Sequence, residues 1–211
     1  MNMEWLYAAL IGYFFGSIPT AWLICKIFYK INIFEHGSKN MGSTNVYRTV
    51  GGKAFAATLA IDVLKGMVPV LLSAKLWANT PQVVFVAAAF AMIGHSLSFW
   101  VKFKGGKGVA TGLGVFIAFA GYNALYALAV FLVVLFITRM VSISSILAAI
   151  SLPFFLWYGN VLGVYCPYIT GFAAVVALFV TYKHKSNIQR ILKGTEAKLP
   201  FFKEKSNLAK A

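Results

Sequence analysis

Apolar residues fall along this chain in seven long runs separated by polar stretches: Leu6–Phe28, Phe55–Leu76, Gln82–Phe99, Val109–Ala120, Leu125–Thr138, Ser144–Tyr158 and Tyr168–Tyr182. Several approach the ~20 residues that cross a hydrocarbon core as a helix. The pattern predicts an all-α polytopic integral membrane protein. The run Val109–Ala120 reaches only roughly 18 Å at ~1.5 Å per residue. Either it lies tilted and buried, or Val109–Thr138 is one continuous helix. Charge separates the two. With seven spans, all but two of the 19 Lys and Arg residues face one side; Lys75 lies opposite and Lys65 lies within the membrane. Merging the short run into its neighbour throws Arg139 and the basic C-terminal segment across. The positive-inside rule therefore predicts seven transmembrane helices, N-terminus outside and C-terminus cytoplasmic. The outer connections Trp77–Pro81, Gly121–Ala124 and Gly159–Pro167 are thin and uncharged, whereas the inner ones are long, glycine-rich and polar. A functional site is expected on the cytoplasmic side, where loops are held by a rigid frame.

Composition sharpens this. Of 211 residues, 60% are hydrophobic, against roughly 45–50% in a soluble domain. One membrane-embedded domain, 1–211, is expected, with 193–211 a basic cytoplasmic tail. The formal charge of +14 suits a lipid bilayer with anionic headgroups or an anionic substrate; a nucleic-acid partner is not expected. Glu4 precedes the first apolar run and no Lys or Arg does, so that run reads as a retained span rather than a cleaved signal. Cys25 and Cys166 lie at opposite faces and give neither a disulfide framework nor a metal-ligand spacing. The oligomeric state is left open.

Three inner segments carry candidate chemistry. The stretch Gly105-Gly106-Lys107-Gly108 opens an apolar helix, with Lys102 and Lys104 upstream; such a turn suits an anion through close backbone N–H groups, the helix N-terminus and a full positive charge. A basic loop touching headgroups is the plainer alternative. It lacks P-loop spacing, so nucleotide binding is weakly supported. The loop from His36 to Arg48 packs Ser38, Asn40, Ser43, Thr44 and Asn45 between glycines and two cations. It reads as a phosphate-binding loop or as a solvated turn-rich one. His184 and Asn187, three apart, share one face of a helix; they either meet substrate or simply complement a helix end. Asp62 and Lys65 inside the second run are read as an intramembrane pair. Gly12-x-x-x-Gly16, Gly108-x-x-x-Gly112 and Gly159-x-x-x-Gly163 suit close helix packing, and Pro19 a kink in the first span. No His is followed five positions later by Asp, which excludes one common glycerolipid acyltransferase signature. Five scattered acids make a carboxylate-bound metal improbable, and His36, His184, Glu35, Glu196 and Glu204 show no acid–base partner.

At these loops, and over nearly the whole chain, the sequence resembles the bacterial acyl-phosphate:glycerol-3-phosphate acyltransferase family (PlsY type). The matching residues are Gly16–Ala21, Gly37–Asn45, Asp62-Val63-Leu64-Lys65-Gly66, Gly94-His95, Phe103–Thr111, Thr138-Arg139 before Ser142, His184–Ile188 and Gly194-Thr195-Glu196. Lys39 departs from the pattern, where the family more often has Gly, and Ser43 where Ala is common. The resemblance implies seven transmembrane helices in a bacterial inner membrane and transfer of a fatty acyl group from acyl phosphate to the sn-1 hydroxyl of glycerol 3-phosphate, the first step of phospholipid synthesis. It implies that Ser38, Asn40, Arg48, Lys104, Ser142, His184 and Asn187 line the substrates. Gly105, Gly106, Lys107 and Gly108, with Asn45 from the first loop, would bind substrate phosphate. No cofactor or metal is implied. A transporter for a phosphorylated solute, and an acyltransferase using acyl-CoA or acyl carrier protein, are the other readings.

Overall fold

The computed structural model describes residues 3–159 and 167–199; Cys166, Gly163 and Glu204 lie outside them. Among the described residues the regular structure is helical. Ten α-helices follow one another: α1 Met3–Ser17, α2 Thr20–Tyr29, α3 Ser43–Val50, α4 Gly52–Leu76, α5 Pro81–Ser96, α6 Val109–Ala120, α7 Tyr122–Thr138, α8 Val141–Tyr158, α9 Pro167–Lys183 and α10 Lys185–Leu192. Among the described residues, four segments are long and apolar enough to cross a membrane: Met3–Tyr29, Gly52–Leu76, Gln82–Val101 and Val141–Tyr158. The helices α6, α7 and α9 are apolar but shorter. The separation of α6 from α7 at Gly121, which takes a positive φ of 52°, disposes of the single long helix.

The first span is two helices. Pro19 has no N–H to donate and its ring opposes a continuous helix, so α1 ends at Ser17 and α2 begins at Thr20. The carbonyls released there find partners elsewhere. Lys65 Nζ donates to the Ile18 carbonyl at 2.9 Å, and Ser98 Oγ donates to the Ser17 carbonyl. Lys65 also pairs with Asp62 at 2.7 Å, as expected from their spacing. A buried cation in hydrocarbon is tolerable when paired and hydrogen-bonded in this way.

Glycines set the closest helix contacts. A Cβ on Gly12 or Gly16 would lie 2.2 and 2.1 Å from the Ala87 and Ala91 carbonyl oxygens, so α1 and α5 meet backbone to backbone. The same holds between α4 and α6, where Gly66 faces the Thr111 carbonyl and Gly114 the Val63 carbonyl. That pair of contacts comes from two helices and has no single-helix spacing to betray it. Gly108 and Gly112 instead face the flexible end of Met92, where a Cβ would lie 2.9 and 3.5 Å from its terminal methyl. Phe116 centres the larger core, among α5, α6, α7, α8 and α9; a smaller one, with Ile24, Cys25, Ile33, Met41 and Val46, supports the segment between α2 and α3.

Candidate functional site

The first inner loop is wound around one side chain. Asn45, on α3 and buried, accepts the Ser38 N–H at 2.8 Å through Oδ1, and its Nδ2 faces the carbonyls of Asn40, His36 and Ile33 at 3.0, 3.1 and 3.3 Å. An amide has two N–H donors, so none remains for substrate. Asn45, expected as a phosphate ligand, borders the cavity described below but its amide is engaged in organising the loop. What it organises is useful: Ser38, Asn40 and Arg48 all border one cavity of about 920 Å³. Lys39 adopts a left-handed φ of 55°, a conformation that a glycine takes freely and a lysine does not.

The glycine turn is also corrected in part. Gly105 and Gly106 pack on the end of α5 and do not line the cavity. The Gly106 N–H donates to the His95 carbonyl at 3.0 Å, and a Cβ on Gly106 would lie 2.3 Å from His95 Nε2. His95 is fixed in turn by Thr111, Oγ1 to Nδ1 at 3.0 Å. Lys104, expected to face the substrates, is exposed and away from the cavity. The turn delivers Lys107 instead. Gly108, at a φ of 83°, caps α6, and Lys107, Gly108, Val109 and Ala110 border the cavity. That helix N-terminus has unpaired N–H groups directed at the same space as a lysine.

The third segment closes the site. His184 occupies the junction of α9 and α10, buried, its Nδ1 2.8 Å from the Val180 carbonyl. A ring nitrogen facing a carbonyl must carry the proton, so Nε2 is left as an acceptor. Asn187 accepts Lys107 Nζ through Oδ1 and donates to Glu196 Oε1 at 2.7 Å. Arg190 Nε meets the other Glu196 oxygen at 2.7 Å. Glu196, read from the sequence as an acid without a partner, therefore ties Asn187 to Arg190. The strap 194–199 that carries it crosses the cavity edge: Arg48 donates to the Ala197 carbonyl at 3.3 Å, and Leu199 exchanges backbone and side-chain bonds with Arg139. Ser142, buried at the start of α8, lines the same wall.

Electrostatics follow from this crowding. Burial, then the charges of neighbouring cations, lower Lys107 to about 8 despite the pull of Glu196. Burial and Lys107 lower His184 to about 4, so it is neutral at pH 7. Burial lowers Arg48 as well, opposed by Glu196 and reinforced by Arg190. Burial raises Glu196, but hydrogen bonds from Asn187 and Arg190 and the Arg190 charge outweigh it and leave it lowered. Three cations thus converge on one carboxylate, and the surplus is a charge-complementary seat for an anion.

From this polar end the cavity continues between α6, α7, α8 and α9 along apolar side chains, including Leu113, Phe131, Leu135 and Val176. Of the residues expected to line the substrates, the fold brings together Ser38, Asn40, Arg48, Ser142, His184 and Asn187. It adds Asp62 and His95 to the lining and replaces Lys104 by Lys107.

A cationic seat joined to an apolar channel among membrane helices defines a lipid-handling protein, and comparison with known proteins agrees. The family model described as glycerol-3-phosphate acyltransferase matches residues 6–194. A glycerol-3-phosphate acyltransferase of Thermosynechococcus vestitus is 44% identical over 200 residues, covering 90% of this chain and 93% of the relative. Crystal structures of PlsY, an integral membrane glycerol 3-phosphate acyltransferase, superpose with TM-scores of 0.85 in its glycerol 3-phosphate form and 0.83 in its lysophosphatidic acid form. Both are 34% identical and cover 93% of this chain, with 96% and 95% of the PlsY chains covered. The chain belongs to the glycerol-3-phosphate acyltransferase family and is a multi-pass membrane protein.

Proposed function

We propose that the protein transfers a fatty acyl group from acyl phosphate to the sn-1 hydroxyl of glycerol 3-phosphate, giving lysophosphatidic acid and phosphate. The observation that carries this reading is the continuity of the cationic seat with the apolar channel in one cavity. Both substrates bear phosphate, and one bears a fatty chain. Arg48, Lys107 and the α6 N-terminus receive the phosphates; Ser38, Asn40, Ser142 and Asn187 supply shorter polar contacts. The acyl carbon then lies at the boundary between the two halves. The site faces the cytoplasm of a bacterial inner membrane, in a single domain of seven spans with the N-terminus outside; the charge asymmetry of the loops supports this orientation.

The hydroxyl oxygen forms a bond to the acyl carbon, the bond from that carbon to the phosphate-bearing oxygen breaks, and the hydroxyl proton must go to a base. His184, lowered to about 4, is a weaker base than a phosphate with a second pKa of about 6. A substrate phosphate therefore takes the proton, while the neutral His184 Nε2 and Asn187 orient the reacting groups. Catalysis rests on positioning and on charge stabilisation of a leaving group that is already good. Membership of an acyltransferase family favours this over transport of a phosphorylated solute.

The test is direct. Purified protein is given glycerol 3-phosphate with palmitoyl phosphate or with palmitoyl-CoA, and lysophosphatidic acid is measured. Product from the CoA donor and none from the phosphate overturns the donor assignment. His184→Gln is expected to keep more activity than His184→Ala. A trapped acyl-enzyme would refute substrate-assisted proton transfer.

A further inference from the structure

The apolar half of the cavity has an end. Its walls run from the polar seat to a floor at Phe116 of α6, Ala124 of α7, Leu152 of α8 and Ala173 of α9, all of which border the cavity. Phe116 and Ala173 are almost wholly buried, at 2% and 1% exposure. Behind the floor the rings of Phe85, Phe116, Phe119 and Phe172 pack together, Phe116 to Phe172 at 5.8 Å between centroids and Phe85 to Phe119 at 4.9 Å. Four interlocked rings at the density of a protein interior do not yield to a methyl group. Ala173, next to Phe172, borders the cavity with only a methyl group.

The depth can be read off two helices independently. Leu152 lies ten residues along α8 from Ser142, and Ala173 ten residues along α9 from Lys183, the residue before His184. Each corresponds to ~15 Å at ~1.5 Å per residue. An extended chain of single bonds advances about 1.2 Å per bond, one third of an extended residue. The channel therefore holds about 13 bonds between the reacting end and the aromatic floor.

We infer that this floor is a ruler: Phe116 and Ala173 determine the length of acyl chain accepted, with an optimum of about 14 to 16 carbons. The inference rests on the acyltransferase reading and adds to it which residues choose the chain. Shorter chains leave part of the channel without apolar contact; longer ones must bend back or leave their ends outside it.

The experiment is a competition in one vessel. Wild type, Ala173→Leu and Phe116→Leu are each given glycerol 3-phosphate with an equimolar mixture of acyl phosphates of 10 to 20 carbons, and the lysophosphatidic acids are resolved by mass. Because every length competes for the same molecules, the product ratio is independent of the fraction of a variant that folds. Two buried methylenes lost or gained correspond to about tenfold in relative kcat/KM. Ala173→Leu is expected to raise the ratio of 12-carbon to 16-carbon product about tenfold or more. Phe116→Leu should raise 18-carbon against 16-carbon product severalfold. Ala124→Leu, on a third helix that borders the same end, should move the optimum in the same direction as Ala173→Leu. Product from all three proteins with ratios within twofold of wild type overturns the ruler and leaves the acyltransferase reading standing. A parallel mixture of acyl-CoA donors reads the same ratios should the donor assignment fail. No product from wild type with either donor overturns both.

Discussion

Replacing Gly106 by alanine separates two explanations of why a glycine stands there. The new Cβ would lie 2.3 Å from His95 Nε2 and 3.0 Å from Cε1, about 1 Å inside ordinary contact. The ring has nowhere simple to go, because His95 is buried and bonded to Thr111. Moving it forfeits one hydrogen bond, about 1 kcal/mol, and overpacks a filled site, about 1–3 kcal/mol. A loss of ~2–4 kcal/mol is therefore expected, divided between stability and the placing of Lys107, which follows the turn. The assay is a thermal midpoint in detergent together with kcat and KM for glycerol 3-phosphate. Gly52→Ala is the control, since no atom lies within 4 Å of its added methyl. His95→Ala opens the space that the methyl needs, so the double variant should lose less than the sum of the two singles, with a coupling of about 1–2 kcal/mol. If Gly106→Ala matches wild type in all three quantities, the packing argument is wrong. If its cost is undiminished beside His95→Ala, the glycine is there for the substrate and not for the ring.

Three further outcomes are expected. His184 is lowered to about 4 in the fold from an ordinary 6.5, so the unfolded chain binds more protons between these values. Stability should accordingly fall as pH drops from 6.5 towards 4, by up to ~3 kcal/mol, and a melting series should show a weaker slope in His184→Gln. An anion bound beside Lys107 restores the proton that burial and neighbouring cations disfavour, so inorganic phosphate should bind with proton uptake near pH 8, read as a buffer-dependent heat in calorimetry. Lys39→Gly, which relieves a left-handed lysine, should raise the thermal midpoint by the equivalent of about 0.5–1 kcal/mol with activity unchanged. A drop would mean that the lysine charge matters more than its backbone.

Much of the architecture was legible because a bilayer leaves few choices. The helices α6 and α8 fall where the apolar runs of the sequence place them, and Pro19 divides the first span where its missing N–H requires. The site was legible by region and less so by residue. His184 and Asn187 share the cavity because helical spacing imposes it, but Lys104 and Lys107 carry the same charge three positions apart in one loop. Which of them turns inward depends on His95 beneath the glycines, and only tertiary packing determines that. Asn45 looked like a phosphate ligand because a loop organiser and a ligand require the same polar amide. Glu196 looked solitary because its partners Asn187 and Arg190 lie on α10, and the turn at Gly194 folds it back onto them. The helix α3 was hidden inside a stretch of turn formers; its faces alternate Asn45 and Val46 inward with Tyr47 outward, too short a pattern to stand out.

The bonds at the Pro19 break bear on how the protein enters its membrane. Segments reach the bilayer in the order of synthesis, and the first arrives with the Ser17 carbonyl short of a partner in a medium that offers no water, while the Ile18 carbonyl has only the Thr20 N–H at 3.0 Å beside it. Ser98, the partner of the first, and Lys65, the further donor to the second, belong to later segments. Lys65 in turn enters with Asp62 one helical turn away on the same helix, so its cost of insertion is reduced before it meets α1. The leading helix pair is thus an incomplete solute in lipid until α4 and the end of α5 are beside it. The last bonds of the opening segment therefore form only when residues of the second and third are in place.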